Sequence, residues 1–395
     1  SENIEEAAFK ELEDGNYSFL VVVTDTNEIE AKTDLRYITV DTTKPVISFE
    51  SVIEDGSFFA SPENIDIEVN ILEENIKRTT YILKNETFDI ISSAEIPTEV
   101  NDFILPDLVD GKYYYEIEVE DQTAHETITD TRSFTLDSTS PTVAYSDATK
   151  LNDSFSNQNY IYIGVDIVEE NIDTVSYALY DEYGTLINRT VFTELVSEFT
   201  FTSLTEGVYS YDVEVMDKVG LIISTDFRQI ALDTTIPVVN YAGGTAADGA
   251  YKNQSHIRIT IRLEEENFDN LTFHLFNSNR NLINETSFLT PVSPFSFTQL
   301  ADGAYYYNVS LKDEAGQVTG SNLYSIILDT TYPEIDIRGK SPKHNSIIAG
   351  NDLPIEVKIT EDNLKNITYI LFDELNNLTK QSNLSPDEIY VFMNL

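Results

Sequence analysis

Cysteine is absent from the 395 residues, so neither a disulfide framework nor a thiolate metal site is available, and stability has to come from packed cores and bound ions. Basic residues are scarce. The 24 Lys and Arg stand against 69 Asp and Glu, and the resulting net charge of −45 argues against nucleic acid or an anionic membrane surface as partner and in favour of cations. No apolar run approaches the ~20 residues needed to cross a bilayer, so no membrane insertion is expected within the chain. Histidines number four, His125, His256, His274 and His344, with no common spacing, which argues against a clustered zinc site. A nucleophile elbow, a phosphate loop and a dinucleotide fingerprint are missing as well. Every carboxylate pair that could serve a glycosidase recurs in its neighbours, and no enzyme is expected.

What the chain does have is a period. Asp41-Thr42-Thr43-Lys44-Pro45 returns as Asp137-Ser138-Thr139-Ser140-Pro141, Asp233-Thr234-Thr235-Ile236-Pro237 and Asp329-Thr330-Thr331-Tyr332-Pro333, each step being 96 residues. Asp14-Gly15, Asp110-Gly111, Glu206-Gly207 and Asp302-Gly303 keep that step, as do Glu73-Glu74-Asn75, Glu169-Glu170-Asn171, Glu265-Glu266-Asn267 and Glu361-Asp362-Asn363. A fixed period of this length means an array of small domains. Counted from each Pro, the units are 45–140, 141–236 and 237–332, with a C-terminal part of a unit at 1–44 and an N-terminal part at 333–395. The two parts overlap by 11 residues, so the chain is expected to be a window of a longer array, with any targeting or anchoring signal outside it.

Within a unit the hydrophobic period is two. Ile65, Ile67, Val69 and Ile71 alternate with Asp66, Glu68 and Asn70, and the pattern returns at Ile161, Ile163, Val165 and Ile167 and at Ile257, Ile259, Ile261 and Leu263. Further runs at Tyr81 and Leu83, at Tyr113, Tyr115, Ile117 and Val119, and at Phe134 and Leu136 bring the total to about seven short strands in roughly 100 residues, which suits an all-β, two-sheet Greek-key sandwich.

The segment Leu108-Val109-Asp110-Gly111-Lys112-Tyr113-Tyr114-Tyr115 looks like the turn into strand F of immunoglobulin-like domains, where a Tyr hydroxyl bonds back to the corner backbone. Tyr17, Tyr113, Tyr209 and Tyr305 hold that place. Two residues on, where antibody domains carry Cys, stand Phe19, Tyr115, Tyr211 and Tyr307, and the strand-C Trp place is taken by Tyr81, Tyr177, Phe273 and Tyr369. Together with the Asp-Thr-Thr-x-Pro linker, this resembles the tandem bacterial and archaeal immunoglobulin-like repeats of giant adhesins and of surface-layer or surface-filament proteins. The resemblance implies a tandem array of immunoglobulin-like sandwiches outside the cell.

On that topology the acidic landmarks meet at one pole. Asp41, Glu73, Glu74 and Asp121 form one set, Asp137, Glu169, Glu170 and Asp217 the next, Asp233, Glu265, Glu266 and Asp313 a third, and Asp329, Glu361 and Asp362 an incomplete fourth. Facing carboxylates repel unless a cation sits among them, and hard oxygen ligands without His or Cys favour calcium. The resemblance adds that adhesin repeats use interdomain calcium to stiffen the rod. The alternative is that the Asp residues cap turns and the Glu residues are solvated. Eleven sequons, at Asn16, Asn85, Asn152, Asn188, Asn253, Asn270, Asn284, Asn308, Asn366, Asn377 and Asn383, point to N-linked glycans on an archaeal surface protein.

These readings converge on an extracellular, non-enzymatic structural rod in a cell-surface filament, surface layer or adhesin stalk, with copies of itself as partners. A second reading stays open: a ligand- or carbohydrate-binding adhesin array in which Tyr180, Tyr183 or Phe276 would line a glycan surface.

Overall fold

The computed structural model describes residues 5–50, 53–65, 67–96, 107–339, 341–384 and 391–392; Asp66 of the first alternating run lies outside them. Packing divides the chain into two compact units, Ser1–Asn152 with Ile161–Phe201 and Tyr209–Gln229, and Asp153–Tyr160 with Thr202–Val208 and Ile230–Leu395. Both are built of strands, and the one helical turn among the described residues is Pro62–Asn64.

In the first unit, one sheet runs in the order Ser57–Phe59, Arg132–Leu136, Gly111–Asp121, Ile76–Lys84, Ile90–Ile96. Its first pair is parallel and the rest antiparallel. The strands Val46–Phe49 and Val69–Leu72 pair antiparallel in a second sheet. Ile47, Phe49, Val69 and Ile71 from that sheet pack on Leu83, Tyr115, Ile117 and Phe134 from the other, which makes a sandwich. Hairpin neighbours such as Ile76–Lys84 and Ile90–Ile96 alternate with pairs far apart in sequence, such as Ser57–Phe59 with Arg132–Leu136, which is consistent with a Greek key. Ile161–Val168 is one strand, and in the first run, among the described residues, Val69–Leu72 is a strand and Ile65 and Ile67 are buried.

The second unit repeats the plan. Ala250–Lys252, Tyr324–Leu328, Gly303–Asp313, Phe268–Phe276 and Leu282–Phe288 form one sheet, while Val238–Tyr241 pairs Ile261–Glu264 and Ile257–Ile259 pairs Phe295–Phe297. Its core holds Ile257, Ile259, Phe273, Leu275, Tyr307 and Val309, each with no exposed surface. The long strands Gly111–Asp121, Gly207–Asp217 and Gly303–Asp313 keep the 96-residue step. The edge strands do not quite: Ser57 to Ser154 is a step of 97 and Ser154 to Ala250 one of 96, because the loops flanking Ser57–Phe59 differ by one residue in compensating directions.

The aromatic substitutes for a disulfide and a Trp do not pack on one another as that pair would. Tyr211 and Tyr307 meet Tyr145 and Tyr241 edge-on at 5.7 Å, while Tyr177 lies against Phe199 at 5.4 Å and Phe273 against Phe295 at 4.6 Å. The cores of 141–236 and 237–332 therefore each hold two separate aromatic contacts. The corner hydroxyls bond as the resemblance implies: Tyr17, Tyr113 and Tyr305 donate to the carbonyls of Glu13, Val109 and Ala301 at 2.8, 2.7 and 3.0 Å.

Candidate metal centre at the repeat junctions

Three segments build each junction. The first is the linker aspartate, whose Oδ1 accepts the N–H of the Thr two residues on: Asp41 from Thr43 at 3.2 Å, Asp137 from Thr139 at 3.3 Å, Asp233 from Thr235 and Asp329 from Thr331 at 3.1 Å. This is an Asx turn. The other oxygen reaches into the following repeat. Asp41, Asp137, Asp233 and Asp329 accept through Oδ2 from the Nδ2 of Asn75, Asn171, Asn267 and Asn363 at 2.9, 2.8, 2.8 and 2.9 Å.

The second segment is the Glu-Glu-Asn turn. The Oε1 atoms of Glu73, Glu169, Glu265 and Glu361 accept the N–H of that same Asn at 2.6, 2.6, 2.7 and 2.8 Å, which curls the carboxylate back into the turn. The Asn carbonyl then accepts from the first residue beyond the long strand, from Gln122 to Asn75, Lys218 to Asn171 and Glu314 to Asn267, at 2.8 to 2.9 Å. The turn is thereby fixed to the strand end.

The third segment is that strand end. Asp121, Asp217 and Asp313 are 0%, 1% and 0% exposed. Each Oδ1 accepts the N–H four residues on, from His125, Leu221 and Gln317. Burial pushes the Asp121 carboxyl up, but hydrogen bonds from His125 and Thr123 outweigh it and hold the group down at about 2. Asp41, Glu73 and Asp121 consequently each bring an oxygen within 4.8 Å of the others, and so do Asp137, Glu169 and Asp217. Glu265 is pushed up, first by burial and then by the charges of Asp233 and Asp313. These are hard oxygen donors, half or fully buried, of the kind that suits calcium. The second acidic residues of the turns, Glu74, Glu170, Glu266 and Asp362, are exposed and belong to neither close group.

Turn capping and cation binding are not exclusive here. In Asp41 and Asp137, one oxygen caps the turn while the same side chain takes part in the cluster. Sequence reasoning missed a second clamp, made by the acidic residue of the Asp-Gly landmark. Asp14 accepts both the N–H and the hydroxyl of Thr42, at 2.9 and 2.8 Å. Asp110 holds Ser138, Glu206 holds Thr234 and Thr235, and Asp302 holds Thr330 and Thr331 in the same way. The signal was the constant spacing of 28 residues from Asp-Gly to the linker hydroxyl.

Of the sequons, Asn16, Asn152, Asn188, Asn253, Asn284, Asn366, Asn377 and Asn383 are exposed, whereas Asn85, Asn270 and Asn308 are half-buried. Of the three aromatics in the glycan-surface reading, Tyr180 and Phe276 are half-buried and Tyr183 is exposed. Tyr180 lies 5.4 Å from Phe227 and Phe276 is 6.3 Å from His274.

Residues 6–83 match the family model of the bacterial Ig-like domain (group 3). The match covers 78 of the 395 residues, and the described residues beyond it are likewise built of strands. The fibronectin(III)-like modules of Clostridium thermocellum CbhA are similar at 15% identity and a TM-score of 0.29, over 47% of this chain and 93% of that one. The FN1-FN3 domains of chicken CNTN1 are similar at 14% identity and a TM-score of 0.29, over 72% and 98%. Dimeric latent PorU from Porphyromonas gingivalis gives 10% identity and a TM-score of 0.20, over 80% and 41%. No curated protein matches the chain.

Proposed function

We propose that the chain is a spacer: an extracellular, non-enzymatic run of immunoglobulin-like repeats in a prokaryotic, archaeal surface filament, surface layer or adhesin stalk. Calcium bound among the junction carboxylates restricts bending between neighbouring repeats. The observation that carries the reading is the hydrogen bond that the next repeat's Asn donates to the linker Asp, made four times over the same 34 residues at 2.8 to 2.9 Å. A spacer needs its geometry reproduced at every joint, whereas a receptor-binding module tolerates variable loops. The exposed sequons supply sites for N-linked glycans.

Immunogold electron microscopy of intact producing cells, with antibody to this chain, tests the reading. Label on the outer surface, along fibres or a lattice, is expected; label confined to the cytoplasm would overturn it. Glycan-array binding separates the adhesin reading, because a spacer binds none of the glycans.

A further inference from the structure

We propose that the residue four places after the strand-end aspartate decides how a junction is closed, and that Asp137, Glu169 and Asp217 hold a calcium ion whereas the Asp233, Glu265 and Asp313 junction is closed by the Gln317 side chain. The inference rests on the reading of the junctions as cation sites given above, and it distinguishes between them.

The three strand-end aspartates use Oδ1 alike and Oδ2 differently. At Asp313, Gln317 Nε2 donates to Oδ2 at 3.0 Å and faces the main-chain oxygens of Asp233 and Thr235 at 3.2 and 2.9 Å. The amide nitrogen thus sits inside a ring of three oxygens. At Asp121, His125 Nδ1 lies 2.9 Å from Oδ2. At Asp217 the fourth residue is Leu221, which contributes its N–H to Oδ1 and has no side-chain donor to give.

Asp217 Oδ2 is accordingly buried without a hydrogen-bond partner, on a residue 1% exposed. A buried carboxylate oxygen left unpaired is costly, and here two more carboxylates, from Asp137 and Glu169, crowd within 4.8 Å of the same residue. A cation answers both the missing partner and the repulsion. By the 96-residue correspondence, Asp137 and Thr139 stand where Asp233 and Thr235 turn their carbonyls toward the Gln317 amide, so two further oxygens are expected at this junction. Three carboxylates and two carbonyls approach the six to eight oxygens that calcium takes. Gln317 places a neutral donor where that ion would sit.

The test is calorimetric titration of calcium chloride into the calcium-free full chain, comparing wild type with Leu221→Gln and Gln317→Leu. Leu221→Gln should bind one ion fewer and Gln317→Leu one more. If both variants keep the wild-type number, the proposal is wrong although the junctions still bind calcium; if the wild type takes up none, the cation reading falls with it. Should Leu221→Gln lose its strand signal in circular dichroism, Asp217→Asn, which keeps the side chain's shape, must lose the same ion, and retention of that ion would overturn the proposal.

Discussion

The hydroxyl of Tyr113 donates to Val109 O at 2.7 Å on a side chain that is 6% exposed, whereas Tyr305 makes the equivalent bond to Ala301 at 3.0 Å in an exposed setting. Removing a buried hydroxyl leaves its acceptor unpaired, so Tyr113→Phe should cost about 1 kcal/mol and Tyr305→Phe less. Chemical denaturation of the two variants checks the order; equal losses would mean that burial does not set the worth of the corner. Phe273, fully buried against Phe288 and Phe295, is an anchor of a different kind. Truncation to Ala removes a ring from a closed core, and about 3–5 kcal/mol should be lost. The same denaturation curves measure it.

At the scale of the linker, the acidic residue of each Asp-Gly landmark fixes both a hydroxyl and an N–H. Hydrogen bonds from Thr234 and Thr235 hold the Glu206 carboxyl below the ordinary value, and those from Thr331 and Thr330 do the same for Asp302. A carboxyl depressed in the folded state stabilises it above the unfolded pKa of about 4, and that contribution fades as pH falls through the folded value. The Thr234 amide proton, bonded to Glu206 at 2.8 Å, should therefore report a titration with its midpoint below about 4.3. A midpoint at or above that value in nuclear magnetic resonance would contradict the clamp. The strands were legible in the sequence because alternation follows directly from one buried face, and the corner tyrosines because their spacing from Asp-Gly is fixed. The convergence of Asp137, Glu169 and Asp217 was legible from topology. What Gln317 does was not, since a Gln in a turn gives no sign of which oxygens its amide meets.

For the molecule as a whole, the 69 acidic residues make an ion-free array self-repelling, and the junction clusters concentrate that repulsion where repeats meet. An ion that binds the folded junction alone adds about 2.7 kcal/mol when its free concentration is a hundred times the dissociation constant. The unfolding of a tandem array need not be two-state, so the quantity to follow is the individual transition and not one midpoint. The most direct measurement is differential scanning calorimetry of the full chain in excess calcium and after chelation, beside the variant Asp137→Asn with Asp217→Asn. Calcium should raise at least one transition of the wild type, and the same transition in the variant should stay put while its strands remain folded. Superimposable wild-type thermograms with and without calcium would contradict the account and leave the junctions held by their hydrogen bonds alone.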